Sequence, residues 1–589
     1  MYFRNQSGNA ELDWLREGFA DMLINNLSRS PKLNILSRQQ FHTLLDRNGY
    51  SGDEELSAEN VLDISRKSGA ESFITGSFTQ IGEAIRMDAM LYDAATGELR
   101  AVESVTAKKA DEIFADIDLL SLKLANHLDA SPLEHEKQSD ISEAMTDNLE
   151  AYRDYSLAVD EAEGLHNKEA IALLEKAIAL DPQFAMAHAR IGYTYAITWG
   201  FAAKAKPYLE KAYSLSNRLT EKDRLSIAAW YSIANLDYPN AIEFYRQIIS
   251  KYPAETEAYL RLGNLFSGEE QFDEAETALK QGLAVDAGEP LLYNALGSLY
   301  STAGRHDDAI AMHRRYVALA PNEGNSHDSL GLSYQWAGFY AEAMGEYRIA
   351  LELKPNFEVA IIHLANAHFQ TGRYREALDL YKQYIAVAPS EIERARGYSA
   401  IAQVYRRLND FGPATKAARQ AIKEDDSYVG EMWLIALEQS DKAAAGRLED
   451  KLFAEPSGTN RGRRALSRQR FFFRGVHELQ SGRSAEALEE FKEAVRHPPP
   501  IYEKDALEDC LGNGYLRLGQ FDDAMREYER ILALNPNYPL ARFHLARAYE
   551  GKGQIDQARE NFRLFLETWK NSDADIPEVK AATSFLGNL

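Results

Sequence analysis

The sequence holds few of the residue groupings that enzymes use for catalysis. No Gly-x-x-x-x-Gly-Lys-Ser/Thr phosphate loop, His-Glu-x-x-His zinc motif, Gly-x-Ser-x-Gly turn or His-Arg-Asp kinase loop occurs in the 589 residues. The single cysteine, Cys510, has no histidine near it in sequence, which indicates a packing residue rather than a nucleophile. No Cys-x-x-Cys or Cys/His cluster supplies a zinc site. We therefore predict no catalytic residues, no metal and no cofactor.

One cluster of side chains could bind a charged partner. Six arginines are interleaved with three consecutive phenylalanines, Phe471 to Phe473, and these arginines are Arg461, Arg463, Arg464, Arg468, Arg470 and Arg474. Arginine beside aromatic rings can hold an acidic peptide or stack on single-stranded nucleic acid. The alternative is structural, because the phenylalanines should lie partly in a core and exposed arginines can pair with acidic residues of the same chain. We favour the structural reading and keep Arg461, Arg463, Arg464, Arg468 and Arg470 as a candidate patch for an acidic protein partner.

The overall charge argues against nucleic acid as a general partner. The chain has 66 basic and 90 acidic residues, a net charge of −24, so its average surface would repel a phosphate backbone. More than half of this charge lies in residues 1–150, which carry 14 basic and 27 acidic side chains. No stretch approaches the roughly 18 to 20 apolar residues that span a bilayer. We predict protein or peptide partners, no nucleic acid and no membrane span.

The elements that must position these side chains recur along the chain. From residue 151 onward, apolar, small and proline residues repeat with a period near 34, and Pro321, Pro355 and Pro389 are spaced by 34 and 34. Within one period the pattern predicts two antiparallel helices. Gly331 and Ala343 would lie where the helices cross, since only small residues allow a close approach. Each proline would end a second helix.

These features resemble the tetratricopeptide repeat (TPR). About eleven clear units follow the pattern, eight in residues 151–428 and three in 461–572, with a degenerate helical unit and hinge at 429–460. Residues 573–589 should form a capping helix over the last unit. The resemblance implies a mostly α-helical fold, a right-handed α-solenoid whose first helices line a concave groove.

The resemblance also implies candidate binding residues in that groove. Asparagine recurs at one first-helix position, in Asn264, Asn366 and Asn513, and an amide can both donate to and accept from a peptide backbone. The other candidates at nearby groove positions are Arg261, Asn294, Asp328, Gln335, Trp336, His363 and Phe369. The alternative is that these side chains are merely solvated. A lysine-rich clamp for a C-terminal carboxylate is missing.

Residues 1–128 do not follow the period. Their pattern predicts helices around Leu15–Leu27 and Ile113–Leu124, strands over 72–82 and 84–93 joined at Gly82-Glu83, and a third strand after Thr96-Gly97. This composition predicts a small α/β domain, followed by an acidic linker at 129–150.

The amino-terminal region resembles the TolB-like domain, which is related to curli-secretion domains. The matching segments are Phe3-Arg-Asn-Gln-Ser-Gly8, Leu15-Arg-Glu-Gly18, Leu36-Ser-Arg38 and Gly76-Ser-Phe78. The first strand of such domains normally begins several residues earlier, so we expect that an upstream segment is missing. A kinase, a DNA-binding domain or a membrane anchor could precede residue 1, as in relatives with this architecture.

Together these patterns predict a non-enzymatic interaction protein. The expected role is a scaffold or the sensing arm of a bacterial signalling system that binds partner peptides or domains in the solenoid groove. The alternatives are the regulatory portion of a kinase or cyclase, or the effector region of a transcriptional regulator. We expect a cytoplasmic location, or a periplasmic or other extracytoplasmic one if an upstream signal or anchor exists. The sequence leaves the oligomeric state open.

Overall fold

A computed structural model shows how these patterns fold. It describes residues 2–28, 30, 32–33, 35–36, 38, 41, 44–45, 50, 58–109, 112–128, 145–163, 166–198, 200–454, 460–496, 509–573 and 575–587. The greater part of the predicted acidic linker, 129–144, lies outside these residues, and so do residues 455–459 of the predicted hinge segment. The chain divides into two compact units, residues 1–262 and 263–589. The predicted hinge at 429–460 therefore lies within the second unit.

The first unit begins with a four-stranded sheet in the order β1-β2-β3-β4. Its strands are β1 (Phe3–Asn5), β2 (Ser72–Ile81), β3 (Ala84–Asp93) and β4 (Leu99–Ala107), and its helices are α1 (Leu15–Leu27), α2 (Ala58–Lys67) and α3 (Ile113–His127). Strand β1 is parallel to β2, whereas β2, β3 and β4 form an antiparallel meander. The predicted hairpin is confirmed, and Gly82 adopts the positive φ of 66° that its turn requires.

The core of this sheet region extends into the first repeat helices. Phe19 packs edge-on against Phe3 and Phe78, with ring centroids 5.7 and 5.3 Å apart. Tyr152, in the first helix after the predicted linker, is fully buried and contacts Trp14 and Phe114 of the amino-terminal region. The start of the helical array is thus covered by the sheet region, as the exposed end of a solenoid requires.

Helix pairs follow to the end of the first unit and across the division. These helices are α4 (Leu149–Glu163), α5 (Asn167–Leu180), α6 (Ala185–Tyr193), α7 (Ala202–Leu215), α8 (Glu221–Ala234), α9 (Tyr238–Lys251) and α10 (Thr256–Gly268), and the division falls within α10. Thr220 illustrates how they begin, because its hydroxyl accepts a hydrogen bond from the Asp223 backbone N–H at the start of α8.

The second unit continues the pairs. Its helices are α11 (Phe272–Val285), α12 (Pro290–Thr302), α13 (His306–Leu319), α14 (Gly324–Trp336), α15 (Tyr340–Leu353), α16 (Glu358–Gln370), α17 (Tyr374–Val387), α18 (Glu391–Arg407), α19 (Phe411–Glu424), α20 (Gly430–Glu438), α21 (Lys442–Gly446), α22 (Glu449–Leu452), α23 (Asn460–Gln480), α24 (Ser484–Val495), α25 (Cys510–Arg517), α26 (Phe521–Leu534), α27 (Pro539–Gly551), α28 (Ile555–Thr568) and α29 (Pro577–Gly587). Helix α29 packs on the last pair, and the Phe585 ring lies 4.9 Å from that of Phe562.

Small residues set the distance between the two helices of a pair. A Cβ atom on Gly331 would lie 2.7 Å from the Tyr347 ring and 3.1 Å from the Ala343 carbonyl oxygen. Real Cβ atoms do not approach other atoms so closely, so the predicted role of this glycine at the helix crossing is confirmed. The turns between the paired helices are equally regular, since Leu236, Glu270, Gly304, Gly338 and Gly372 all have positive φ and lie 34 residues apart.

The second unit returns on itself near its carboxyl end. The side-chain amide of Asn537 donates to the Gly338 carbonyl oxygen at 3.1 Å, and the indole N–H of Trp569 donates to the Gln370 carbonyl oxygen at 3.0 Å. The Asp573 backbone N–H donates to the Gly372 carbonyl oxygen at 2.9 Å. The last two pairs therefore contact the turns of pairs roughly 200 residues earlier, and we call these bonds the closing contacts.

Candidate interaction surface

The predicted groove residues differ widely in exposure. Asn264 is exposed, and Arg261, Asn294, Trp336 and Asn513 are half-buried, whereas the remaining five are buried: Asp328, Gln335, His363, Asn366 and Phe369. Helix α16 is buried at every position from Ala360 to Gln370. The buried candidates therefore contact other side chains of this protein.

The recurring asparagine has a structural partner. Tyr381 of α17 donates its hydroxyl hydrogen to the Asn366 Oδ1 atom at 2.8 Å, and Tyr528 of α26 donates to the Asn513 Oδ1 atom at 2.7 Å. In another repeat Tyr347 donates in the same way to Gln335 Oε1 at 2.7 Å. Each amide thus satisfies the hydroxyl of a tyrosine that fills the centre of its own helix pair, as buried polar groups require.

Asp328 and His363 form a buried pair between successive first helices. The Nδ1 atom of His363 lies 2.9 and 3.1 Å from the two carboxylate oxygens of Asp328, and both side chains are almost fully buried. The two residues are 35 positions apart in sequence. The carboxylate therefore contacts a histidine in the following repeat, one residue further along than the equivalent position.

Arg261 belongs to a polar network in the first unit. Its guanidinium donates to the Glu257 carboxylate at 3.3 Å and to the Tyr193 hydroxyl, and Tyr193 donates to Glu257 at 3.1 Å. Burial would raise the pKa of Glu257, but the charges of Arg261 and Arg190 outweigh it and hold the pKa below its ordinary value. The side chain of Glu257 remains 43% exposed, so this network faces solvent.

The arginine cluster is divided between core and surface. Arg468 is 1% exposed, and its Nε–H donates to the Ala494 carbonyl oxygen at 2.6 Å, so it holds helices α23 and α24 together. The guanidinium of Arg470 lies 5.6 Å from the Phe471 ring centre. Arg461, Arg463 and Arg464 lie in the first turn of α23, and their side chains are outside the described part of the chain. The burial of Arg468 agrees with the alternative that this arginine has a structural role rather than a partner-binding one.

A cavity in the second unit was not predicted. It has a volume of about 280 Å³ and is lined by residues of six helices, α18, α20, α23, α24, α25 and α27, together with Asp509 immediately before α25. Its charged and titratable side chains are Arg406, Arg407, Glu438, Asp509, Arg517 and His544. Of the predicted groove residues only Asn513 lines it, beside Cys510.

The sequence did contain a signal for part of this cavity. Asp509 and His544 are 35 residues apart and occupy the same repeat positions as Asp328 and His363. Here the two groups are further apart, with 3.4 Å between Asp509 Oδ2 and His544 Nδ1. The recurrence of this Asp/His spacing could have identified both residues. No comparable spacing in the sequence points to Arg406, Arg407 or Arg517.

The described residues contain neither a metal-binding cluster nor a membrane-spanning helix. No group of three or more His, Cys, Asp or Glu side chains there could hold a metal ion. In the same part of the chain, none of the helices combines the length and the apolar character needed to cross a bilayer. The tripeptide Asp410-Phe411-Gly412, which matches a kinase metal-binding motif, begins a second helix of a repeat pair.

Comparisons with known proteins bear on the helix pairs. A family model described as tetratricopeptide repeat matches residues 232–299, 337–404 and 515–583, and a second model of the same description matches 292–325. A curated relative, "Cellulose synthase 1 operon protein C" of Komagataeibacter xylinus, is 27% identical over 158 residues, covering 26% of this chain. The match spans only 12% of that protein's length.

Two solved structures also align with this chain. The structure of MamA is 24% identical, with a TM-score of 0.24, and the match covers 27% of this chain and 93% of MamA. The APC/C hetero-tetramer Cut9–Hcn1 is 14% identical, with a TM-score of 0.45, and the match covers 80% of this chain and 82% of that one. The observed helix pairs and the matching family models show that this chain contains tetratricopeptide repeats in an α-solenoid, preceded by a small four-stranded sheet region.

Proposed function

We propose that this protein is a non-enzymatic scaffold that binds protein partners along the first-helix surface of its repeats. Stacked repeats offer many shallow contacts over a long surface, and each helix pair is stabilised mainly by its neighbours. The observation that carries the proposal is the combination of exposed or half-buried polar and aromatic side chains on this surface, Asn264 and Trp336, with the cavity that six helices share.

We also propose a narrower role as the sensing or regulatory arm of a bacterial signalling system. Its support is the resemblance of residues 1–128 to TolB-like domains, which rests on Phe3–Gly8 and Gly76–Phe78. In the structure Gly76 lies directly under Phe3, where a Cβ atom would be 2.2 Å from the ring, so these two matching segments contact each other. A kinase, cyclase or DNA-binding domain encoded before residue 1 would replace the scaffold role with a regulatory or effector role.

Site-specific photocrosslinking tests the scaffold proposal. A photoreactive phenylalanine analogue would replace Asn264 or Trp336 in the full chain, produced in the cells that encode it. The control position is Ile349, a residue of the second helix α15 whose side chain is 38% exposed. We expect discrete crosslinked proteins from the two first-helix positions and not from Ile349. No crosslinked protein, or the same set from all three positions, would contradict the proposal.

A further inference from the structure

The unpredicted cavity contains a buried carboxylate that the surrounding residues leave unsatisfied. Asp509 is 1% exposed, and among the described residues its Oδ1 atom accepts no hydrogen bond. Its Oδ2 atom lies 3.4 Å from His544 Nδ1, and that nitrogen also makes no hydrogen bond there. A buried carboxylate oxygen that accepts no hydrogen bond is costly to the folded state.

The equivalent pair in an earlier repeat shows what compensation looks like. Asp328 and His363 occupy the same two repeat positions, and His363 Nδ1 lies 2.9 Å from Asp328 Oδ1 and 3.1 Å from Oδ2. That pair is closed and satisfied in the absence of any ligand. Asp509 and His544 both line the cavity, and their closest side-chain atoms are 3.4 Å apart. The difference between the Asp328–His363 and Asp509–His544 pairs indicates that Asp509 accepts a hydrogen bond from a group that enters the cavity.

The cations that line the cavity are already compensated. Arg406 donates at 2.8 Å to Glu431 and at 2.8 Å to Glu438, and Arg407 pairs with Glu578 at 3.2 Å. Arg517 is exposed, so water solvates its charge. Among the charged side chains of the lining, the buried acceptor that still lacks a donor is therefore Asp509 Oδ1. An anionic ligand would meet this carboxylate and that of Glu438, which disfavours it.

The remaining walls suit the stem of a side chain. Apolar surface in the cavity comes from Leu434, Phe472, Val476, Leu479 and Leu540. The volume of about 280 Å³ lies near the lower end of ligand pockets, which measure about 300 to 1,000 Å³, and exceeds several times the roughly 30 Å³ of one water molecule. The space fits one long side chain better than a complete cofactor.

We propose that this cavity binds a lysine or arginine side chain of a partner protein, with Asp509 as its acceptor. The proposal rests on the scaffold function and names the class of partner segment, one with an exposed basic residue. The aliphatic stem would lie along the apolar walls and the cationic head would donate to the carboxylate of Asp509, which lines the cavity. His544 would hold the other carboxylate oxygen.

Ligand-detected NMR titration tests this proposal directly with the full chain. The probe is N-acetyl-L-arginine amide, and the matched neutral probe is the corresponding citrulline compound, which has nearly the same shape without the charge. We expect saturable binding of the arginine probe and at least tenfold weaker binding of the citrulline probe. Asp509→Asn should weaken arginine binding at least tenfold, whereas Asp379→Asn, at a carboxylate that is 79% exposed, should not change it.

Two further measurements separate binding from folding. Gln480 lines the cavity but is exposed. Gln480→Trp should therefore block binding of the arginine probe and leave the thermal unfolding midpoint at its wild-type value. Asp509→Asn should leave that midpoint unchanged or raise it, since it replaces a buried carboxylate whose Oδ1 atom accepts no hydrogen bond. Equal binding of both probes, or full binding by Asp509→Asn, would overturn the proposal. If crosslinking at Asn264 succeeds while the probe does not bind, the scaffold function stands and the cavity proposal fails.

Discussion

Amide side chains on the first helices have a structural role that decides how substitutions act. The Asn366 carbonyl oxygen accepts from Tyr381, and the Asn513 carbonyl oxygen accepts from Tyr528. Burial raises the pKa of the Tyr528 hydroxyl, so this tyrosine remains a hydrogen-bond donor at neutral pH. Replacing such an asparagine to test binding would also disturb the fold, which makes the exposed Asn264 the better probe of the surface.

Removal of one tyrosine hydroxyl should measure this role. Tyr381→Phe leaves Asn366 Oδ1 without its buried donor, so we expect a loss of about 1 to 3 kcal/mol in the free energy of unfolding. Urea denaturation followed by circular dichroism would give the value. Tyr213→Phe, at a ring that is 48% exposed, is the control and should change stability by less than about 0.5 kcal/mol. An equal effect of both substitutions would contradict the proposed role.

His313 should make stability depend on pH. Its Nε2–H donates to the Asn294 carbonyl oxygen at 3.2 Å, so Nδ1 accepts from the Ser333 hydroxyl at 2.6 Å and the ring is neutral. Burial lowers its pKa from 6.5 to about 4. The unfolded chain therefore binds a proton that the folded chain rejects between pH 6.5 and 4, and stability falls as the pH is lowered through this window.

The size of this effect can be checked by substitution. The shift corresponds to about 3 kcal/mol lost between pH 7 and pH 4. His313→Gln should flatten the pH dependence of the urea midpoint, although burial also lowers the pKa of His368 to about 4, so part of the dependence will remain. His166→Gln, at a side chain that is 64% exposed, is the matched surface control. A variant curve that parallels the wild type would show that His313 is not responsible.

The sequence could place these residues on first helices but not determine what covers them. Repeat position fixes the side of a helix on which Asn366 or Asp328 lies. It does not show that Tyr381 reaches the amide or that His363 lies close enough to bond the carboxylate. Those distances depend on how successive pairs stack, which is a property of contacts between residues 15 to 35 positions apart. The interpretation of these residues as binding groups remains a prediction.

Helix pairs and strands were predicted well because each depends on local patterns. The period of 34, the small residues at crossings and the prolines after second helices are all visible within one repeat. The β2–β3 hairpin was visible in the alternation around Gly82. The cavity was not predicted, because its walls come from helices spread over residues 406–544 and no local pattern brings them together.

The turns between paired helices offer a matched test of the closing contacts. Gly372 and Gly553 both have left-handed backbone conformations, with φ of 72° and 74°. A Cβ atom on Gly372 would lie 2.7 Å from the Trp569 ring, whereas one on Gly553 would meet nothing within 4 Å. Both alanine substitutions incur the same backbone strain, about 1 to 2 kcal/mol. Only the first also disturbs a contact with a distant repeat.

We therefore expect Gly372→Ala to destabilise the protein more than Gly553→Ala does. The additional loss should be about 1 to 3 kcal/mol, as for other overpacked sites. Urea midpoints would give the comparison, and hydrogen exchange of the Asp573 amide, which bonds to the Gly372 carbonyl, would locate the effect. Equal losses of stability would mean that the Trp569 ring moves aside without destabilising the protein and that the turn at Gly372 tolerates a side chain.

At the scale of the second unit, the closing contacts join pairs that neighbour-to-neighbour stacking would leave independent. A solenoid is ordinarily stabilised by each repeat and its neighbours alone. Here Trp569 is 2% exposed and packs against Tyr374, and the Tyr374 hydroxyl accepts from Arg407 at 3.4 Å. Since Arg407 lines the cavity and pairs with Glu578 of the capping helix, the closing contacts also hold one wall of the proposed binding site.

Removing the surface side chains of Asn537 and Asp573 should loosen the turns at Gly338 and Gly372 without removing core side chains. Asn537→Ala with Asp573→Ala deletes the bond to the Gly338 carbonyl and the acceptor for the Arg375 backbone N–H at 3.1 Å. We expect faster hydrogen exchange at Arg375 and Asp573 and a larger radius of gyration in X-ray scattering, because the remaining contacts must then hold the turn alone. Asp522→Ala, which breaks only the local ion pair with Lys552, is the control and should change neither quantity.

If the double variant kept wild-type exchange and dimensions, stacking between neighbours would by itself set the curvature of the array. Arginine binding in the cavity should then also be unaffected, whereas weaker binding that accompanies faster exchange would show that closure supports the site.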